Sequence, residues 1–253
     1  MTPEQIRMAA ALLIAARRRH RQLDSLPDSC RPASAADAYA IQDAVVSELG
    51  PVAGWKTGSP GPDIEPIAAP LAASAVFPSG AALPASGFHM IGIEAEIAFR
   101  IGRDLPPRAA DYERDEVAAA VASLHPAIEV VDSRLPDWDS ADAWWRLADN
   151  QTNGAFVYGD GLTGWRDIDP VRQPVALSID GAVVAETVGG NPAGDLLRLL
   201  AWVANHCARR CGGLRSGDIV TTGSCTGLIF TAAGAAVVAH FPGIGEARVD
   251  FPT

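Results

Sequence analysis

Positive charge is scarce in this chain. Twenty lysines and arginines stand against thirty aspartates and glutamates, a net charge of -10 with histidine neutral. A nucleic-acid or anionic-membrane surface needs clustered basic residues, and this balance argues against both. Cysteine is nearly absent: Cys30, Cys207, Cys211 and Cys225 form no Cys-x-x-Cys pair, which leaves free thiols and a cytosolic setting as the simplest expectation. Long apolar runs are missing as well. The run from Met8 to Ala16 is too short to span a bilayer, and Arg17-Arg18-Arg19 follow it, the reverse of a signal peptide. No internal repeat or low-complexity linker interrupts the chain. What is present, 48% hydrophobic and 20% charged residues over 253 positions, is the composition of a folded protein with one large domain or a small one and a large one.

The first fifty residues read as helical. Thr2-Pro3-Glu4-Gln5 is an N-cap, a first-turn proline and a capping-box glutamine. The helix that follows carries its arginines at its C-terminal end, where the helix dipole favours cations. After a polar joint from Asp24 to Pro32, Ser34 begins a second helix that Gly50-Pro51 ends. Residues 1–50 are therefore expected to form a small helical segment, a lid or adaptor, ahead of a β-rich domain over 51–253.

From Val52 on, short strands and turns replace helices. Lys56 stands between glycines in Gly54-Trp55-Lys56-Thr57-Gly58. Ser59 to Ala73 holds four prolines and no periodicity, which predicts a long loop. Asp115 to Leu124 is alanine-rich and predicts a helix. Asp180-Gly181 between two apolar runs predicts a hairpin, and Pro192 to Arg210 an amphipathic helix. Cys207 and Cys211 near its end read as small hydrophobes. The class is α+β with a β-rich core.

One stretch organises the rest. In Ile91-Gly92-Ile93-Glu94-Ala95-Glu96-Ile97-Ala98-Phe99-Arg100-Ile101, large apolar residues alternate with small or charged ones, the pattern of a strand with one face on a core. Glu94 and Glu96 then share a face with Cα atoms roughly 6.5 Å apart. Carboxylates that close repel unless a cation lies between them, and an oxygen-liganded ion such as Mg²⁺ would relieve the repulsion. A solvated strand face carrying two glutamates is the plainer alternative. A third acid, Glu129, lies within the apolar run Pro126 to Val131.

Four segments occur in one order: Ile93 to Phe99; Ile128-Glu129-Val130-Val131-Asp132-Ser133-Arg134 with Trp138 nearby; Asp149-Asn150 with Gly154; and Gly223-Ser224-x-x-Gly227. Together they resemble the fumarylacetoacetate hydrolase superfamily, and within it the branch of 2-hydroxypenta-2,4-dienoate (2-keto-4-pentenoate) hydratases and 4-oxalocrotonate decarboxylases. The resemblance implies a β-rich fold of that type, with Glu94, Glu96 and Glu129 as ligands of Mg²⁺ or Mn²⁺. It implies that Lys56 lies near the metal, where the dication would depress its pKa and suit it to proton transfer. A surface lysine beside a turn is the alternative. Gly223 and Ser224 fall in a substrate-facing loop, whose backbone amides can form an anion nest. Asn150 is a candidate substrate contact, though it and Asp149 read equally as caps of the next strand. Ser224 is a candidate substrate contact, although a turn serine is the commoner outcome. His89, His125 and His206 have no ligand spacing and read as structural, and Asp132 and Arg134 as a structural pair.

The implied activity is metal-dependent hydration of a 2-hydroxy-dienoic acid in the catabolism of aromatic or related compounds. Decarboxylation of a 2-oxo-dioate, acylpyruvate C–C hydrolysis and a non-catalytic role are the alternatives. The resemblance also implies a homo-oligomer, with association between hydratase and decarboxylase as a family habit. The chain departs from the branch in two places. Pro70 to Phe77, where the branch carries an aspartate, holds no acid, and Ile91-Gly92 replace the proline that commonly precedes the first glutamate. No His-x-x-Glu dyad of the C–C hydrolases is present.

Overall fold

The computed structural model describes all 253 residues. Five helices, α1 (Pro3–Arg19), α2 (Ala35–Leu49), α3 (Arg114–Ala120), α4 (Ala143–Ala148) and α5 (Leu196–Arg210), accompany thirteen strands. The strands are β1 (Val52–Gly58), β2 (Ile67–Ala72), β3 (Val76–Pro78), β4 (Ala81–Ala82), β5 (Ile91–Ile101), β6 (Val121–Val131) and β7 (Asn153–Tyr158), then β8 (Pro174–Ile179), β9 (Ala182–Val188), β10 (Ile219–Ser224), β11 (Ile229–Thr231), β12 (Ala236–Phe241) and β13 (Gly245–Asp250). They form two sheets. The larger runs β2-β1-β10-β5-β6-β7-β3, with β11 also on β5, and the smaller runs β4-β13-β12-β8-β9.

β5 is central because both of its edges are paired, β6 along one and β10 and β11 along the other. Its alternation sends Ile91, Ile93, Ala95, Ile97, Phe99 and Ile101 into the main core, a cluster of 38 buried residues. The smaller sheet supplies Leu177, Val237, Phe241 and Val249 to this core, Phe251 joins it just beyond β13, and α5 supplies Leu199, Leu200 and Val203. Burying a side chain of this size is worth about 1.5–3 kcal/mol, so the core face sets the register of β5. The opposite face is left for Glu94 and Glu96.

The helix ends follow the sequence. Thr2 and Gln5 form both bonds of the capping box, and Ser34 caps α2 by accepting from Asp37 N. Helices α1 and α2 share a core with Leu135, Trp145, Leu147 and Ala148, and Gln42 Nε2 donates to Leu147 O at 2.8 Å. The hairpin at Asp180-Gly181 has both residues at positive φ, 51° and 79°, the primed turn that suits strand twist.

Three expectations change. Ser59 to Ala73 is not all loop: its second half is β2, antiparallel to β1, with Pro70 opposite Trp55. The prolines mask the strand from a reading by composition, yet β2 lies at the sheet edge, where a proline's missing N–H costs least. The alanine-rich helix stops at Ala120, because Val121 to Leu124 pair with Ile101 to Phe99 and tertiary pairing overrides local propensity. α5 starts at Leu196 with Asp195 as its cap, and residues 192–194 form the turn before it.

Candidate metal centre

Adjacent antiparallel strands put residues opposite one another on a shared face. β5 and β6 set Glu94 directly across from Glu129, with Glu96 two residues along the same face. One carboxylate oxygen from each of the three lies within 4.8 Å of the others. Glu96 and Glu129 are buried and Glu94 is partly so. Burial, and then the charge of Glu129, push the Glu94 pKa up to about 7. Glu96 is pushed well above the usual carboxylate range by burial and by both neighbouring acids, although the Thr221 hydroxyl donates to it. Glu129 Oε2 is buried with no hydrogen-bond partner. An unpartnered buried oxygen among three mutually repelling carboxylates suits a hard divalent cation, whose ligands are oxygens.

Lys56 is the one lysine of the chain and is only 8% exposed. It reaches the acids through the parallel pairing of β1 with β10, where it stands opposite Thr221. Its Nζ forms an ion pair with Glu129 and donates to Gln151 O at 3.1 Å. Burial opposes the ammonium form, but the charges of Glu129, Glu96 and Glu94 outweigh it, so the pKa lies above the usual lysine value. The depressed pKa expected beside a dication requires that ion's charge. With the carboxylates alone, the sign is reversed.

The segment that supplies Gln151 is strained. Asn150, Gln151 and Thr152 all have positive φ, 52°, 50° and 59°, a left-handed run that costs non-glycine residues of order 1–3 kcal/mol each. Arg134 holds its base: Nε donates to Asp149 Oδ1 at 2.6 Å, Nη2 to Asp149 O at 3.0 Å and Nη1 to Asn153 O at 3.1 Å. Arg134 therefore pairs chiefly with Asp149. Asp132 lies 3.6 Å from its Nη1 and accepts the N–H groups of His89 and Met90. At the far end of the run, Asn153 Nδ2 donates to Glu129 Oε1 at 2.9 Å.

Asn150 is buried, with Nδ2 3.4 Å from Pro70 O and Oδ1 unpartnered. Ser224 stands opposite Glu96, and its hydroxyl favours the charged form of Glu94. Gly223 makes the bend before it at φ 88°, and its carbonyl accepts from Asn191 Nδ2 at 3.0 Å. The histidines lie elsewhere: His125 bonds Ser123 and Gly159 O, and His206 stacks on Trp202. Thr221 and Asn153, which hold two of the carboxylates, were not singled out by the sequence. The signal for Thr221 was a polar residue inside the apolar strand Ile219-Val220-Thr221-Thr222, and for Asn153 its place in the motif ending at Gly154.

Residues 44–251 match the family described as fumarylacetoacetate (FAA) hydrolase C-terminal. The chain belongs to this family. A 2-keto-4-pentenoate hydratase of Burkholderia vietnamiensis (strain G4 / LMG 22486) is 33% identical over 253 residues, 96% of this chain and 95% of that protein. A 2-hydroxyhexa-2,4-dienoate hydratase of Comamonas testosteroni is 30% identical over 72% of this chain and 68% of its own length. Among solved structures, the fold is shared with 4-oxalocrotonate decarboxylase from Pseudomonas putida G7, complexed with magnesium and adipate. That match has a TM-score of 0.88 and 24% identity over 99% of this chain and 98% of the other. No helix of this member of the fumarylacetoacetate hydrolase family is long and apolar enough to cross a membrane.

The raised carboxyl pKa values carry a pH dependence. Glu94 and Glu96 bind protons more tightly folded than unfolded, so without metal their contribution to stability is greatest at low pH and is lost as pH rises, through about 7 for Glu94. A cation must displace those protons, so its binding strengthens over the same interval. In EDTA, the melting temperature should fall between about pH 5 and pH 8, and the rise produced by Mg²⁺ should grow. Thermal unfolding across that range checks both signs, and a Mg²⁺ effect independent of pH would contradict them.

Proposed function

We propose that this chain is a hydratase of 2-hydroxy-dienoic (2-oxo-alkenoic) acids, working with Mg²⁺ or Mn²⁺ held by Glu94, Glu96 and Glu129. The observation that carries the reading is the meeting of three buried carboxylates with the chain's one lysine. Whole-length similarity to 2-keto-4-pentenoate hydratases supports the choice of reaction. A cation in this oxygen-only site supplies Lewis acidity, favouring negative charge on the substrate's carboxylate and 2-oxygen.

The chain's own residues supply the rest. Hydration needs a proton delivered to carbon and a water added toward the vinyl end. Pro70 to Phe77 lie in β2, a short turn and β3 and bring no acid to the site, so proton transfer falls to Lys56. Gln151 O and Glu129 orient its Nζ. The left-handed run braced by Arg134 and Asp149 holds that carbonyl in place, a form of preorganisation that a general acid requires. The bend at Gly223 and the Ser224 hydroxyl line the β10 side of the acids, and the Asn150 carboxamide lies buried against Pro70 O at the start of the left-handed run.

The test is incubation of EDTA-treated protein with 2-hydroxypenta-2,4-dienoate, with and without added Mg²⁺. The expected result is cation-dependent loss of the dienol's ultraviolet absorbance and a product heavier by one water in the mass spectrum. Release of CO₂ from a 2-oxo-dioate, with no hydration of the dienoate, would replace this reading by decarboxylation.

A further inference from the structure

A cavity of about 510 Å³ lies at the C-terminal end of α1. Ala155 forms part of its wall and pairs with Val130, the neighbour of Glu129, so this wall belongs to the sheet face opposite the three acids. Phe77, Leu83 and Phe88 line it on its apolar side, and Arg17 and Asp132 on its polar side.

Arg17 is the unusual wall residue. Its Nη2 donates to Asn153 O at 3.0 Å, and its Nε is buried with no partner. Arg17 forms no ion pair. The nearby acids are already engaged: Asp149 is held by Arg134 at 2.6 Å, and Asp132 by two backbone N–H groups and Arg134. Burial, and then the neighbouring Arg134 charge, lower the Arg17 pKa to about 9, the direction of a cation short of counter-charge. A buried, incompletely paired guanidinium is costly, and an anion with a planar pair of oxygens is its natural complement.

We propose that this cavity is a second small-molecule site, which takes a monocarboxylate with an apolar body. The carboxylate meets the open Nη1 edge of the Arg17 guanidinium, and the body lies against Phe77, Leu83 and Phe88. The chemistry selects that class on two grounds. One guanidinium offers one positive charge, and Asp132 in the same wall repels a second negative charge, so a phosphate dianion fits poorly. The aromatic walls reward an apolar body, which an inorganic anion lacks. Asn153 joins this cavity to the metal centre, since its carbonyl accepts from Arg17 while its carboxamide donates to Glu129.

The probe is sodium benzoate, whose lack of a 2-oxygen denies it the chelating pair of a 2-oxo acid. Titrated into EDTA-treated protein, it should give a saturable rise in melting temperature, while sodium chloride and inorganic phosphate at matched ionic strength give none. Arg17→Gln should abolish the rise. Ala75→Phe, which keeps the arginine and fills the cavity with a ring, should abolish it as well, and decides the matter if Arg17→Gln does not fold. Ala75→Phe should retain the Mg²⁺-induced rise of the parent. Absence of a saturable benzoate effect in the parent, an equal effect from phosphate, or a benzoate effect that survives the cavity-filling substitution overturns the proposal. The measurement uses neither metal nor dienoate, so its failure is distinct from a failure of the hydratase reading.

Discussion

Lys56→Met should lower kcat for the dienoate by about 10²–10⁴-fold, the usual contribution of a positioned general acid or base. The reason is the placement of Nζ on Glu129 and Gln151 O, in a site to which no other segment brings a free acid for the task. The same substitution should separate catalysis from stability. Without metal, it leaves Glu129 buried and unpaired, and breaking a buried ion pair from one side typically costs about 3–5 kcal/mol. A cation supplies the missing positive charge, so the variant's melting temperature should fall in EDTA and largely recover in Mg²⁺. Steady-state kinetics together with unfolding in both conditions make the check. Full activity in the variant would leave Lys56 a structural counter-ion and move the proton transfer elsewhere.

The three carboxylates should behave unequally when each is replaced by glutamine. Every replacement removes one of the three converging charges, so each variant should lose the Mg²⁺-induced rise in melting temperature and the activity together. Metal-free stability should divide them. Glu94→Gln and Glu96→Gln relieve repulsion that raises both pKa values, and their stability in EDTA should stay level or increase. Glu129→Gln instead strands the Lys56 ammonium against a neutral amide, and should cost about 3–5 kcal/mol in EDTA. Unfolding of the three variants with and without Mg²⁺ reads the whole pattern. If Glu96→Gln keeps the parent's response to Mg²⁺, the three acids do not share an ion, and the strand face is merely acidic.

The sequence by itself determined whatever depends on neighbours a few residues apart. A period of two along Ile91 to Ile101 put Glu94 and Glu96 on one face and the isoleucines on the other, because successive side chains of a strand alternate. Helix caps at Thr2 and Ser34 and the turn at Asp180-Gly181 are local in the same way. Tertiary structure alone decided what depends on pairing between distant segments. It set Glu129 opposite Glu94 through the β5–β6 register, and brought Lys56 to both by way of β10. It placed Thr221 and Asn153 on the carboxylates, and drew β2 out of a proline-rich stretch whose composition reads as loop. It also held Asn150 to Thr152 in a left-handed run, which glutamine and threonine do not favour and which the Arg134–Asp149 pair braces. Even the direction of the Lys56 pKa belongs to the tertiary structure. Burial works against its charge, and acids from two other strands, 38, 40 and 73 positions away in the chain, outweigh it.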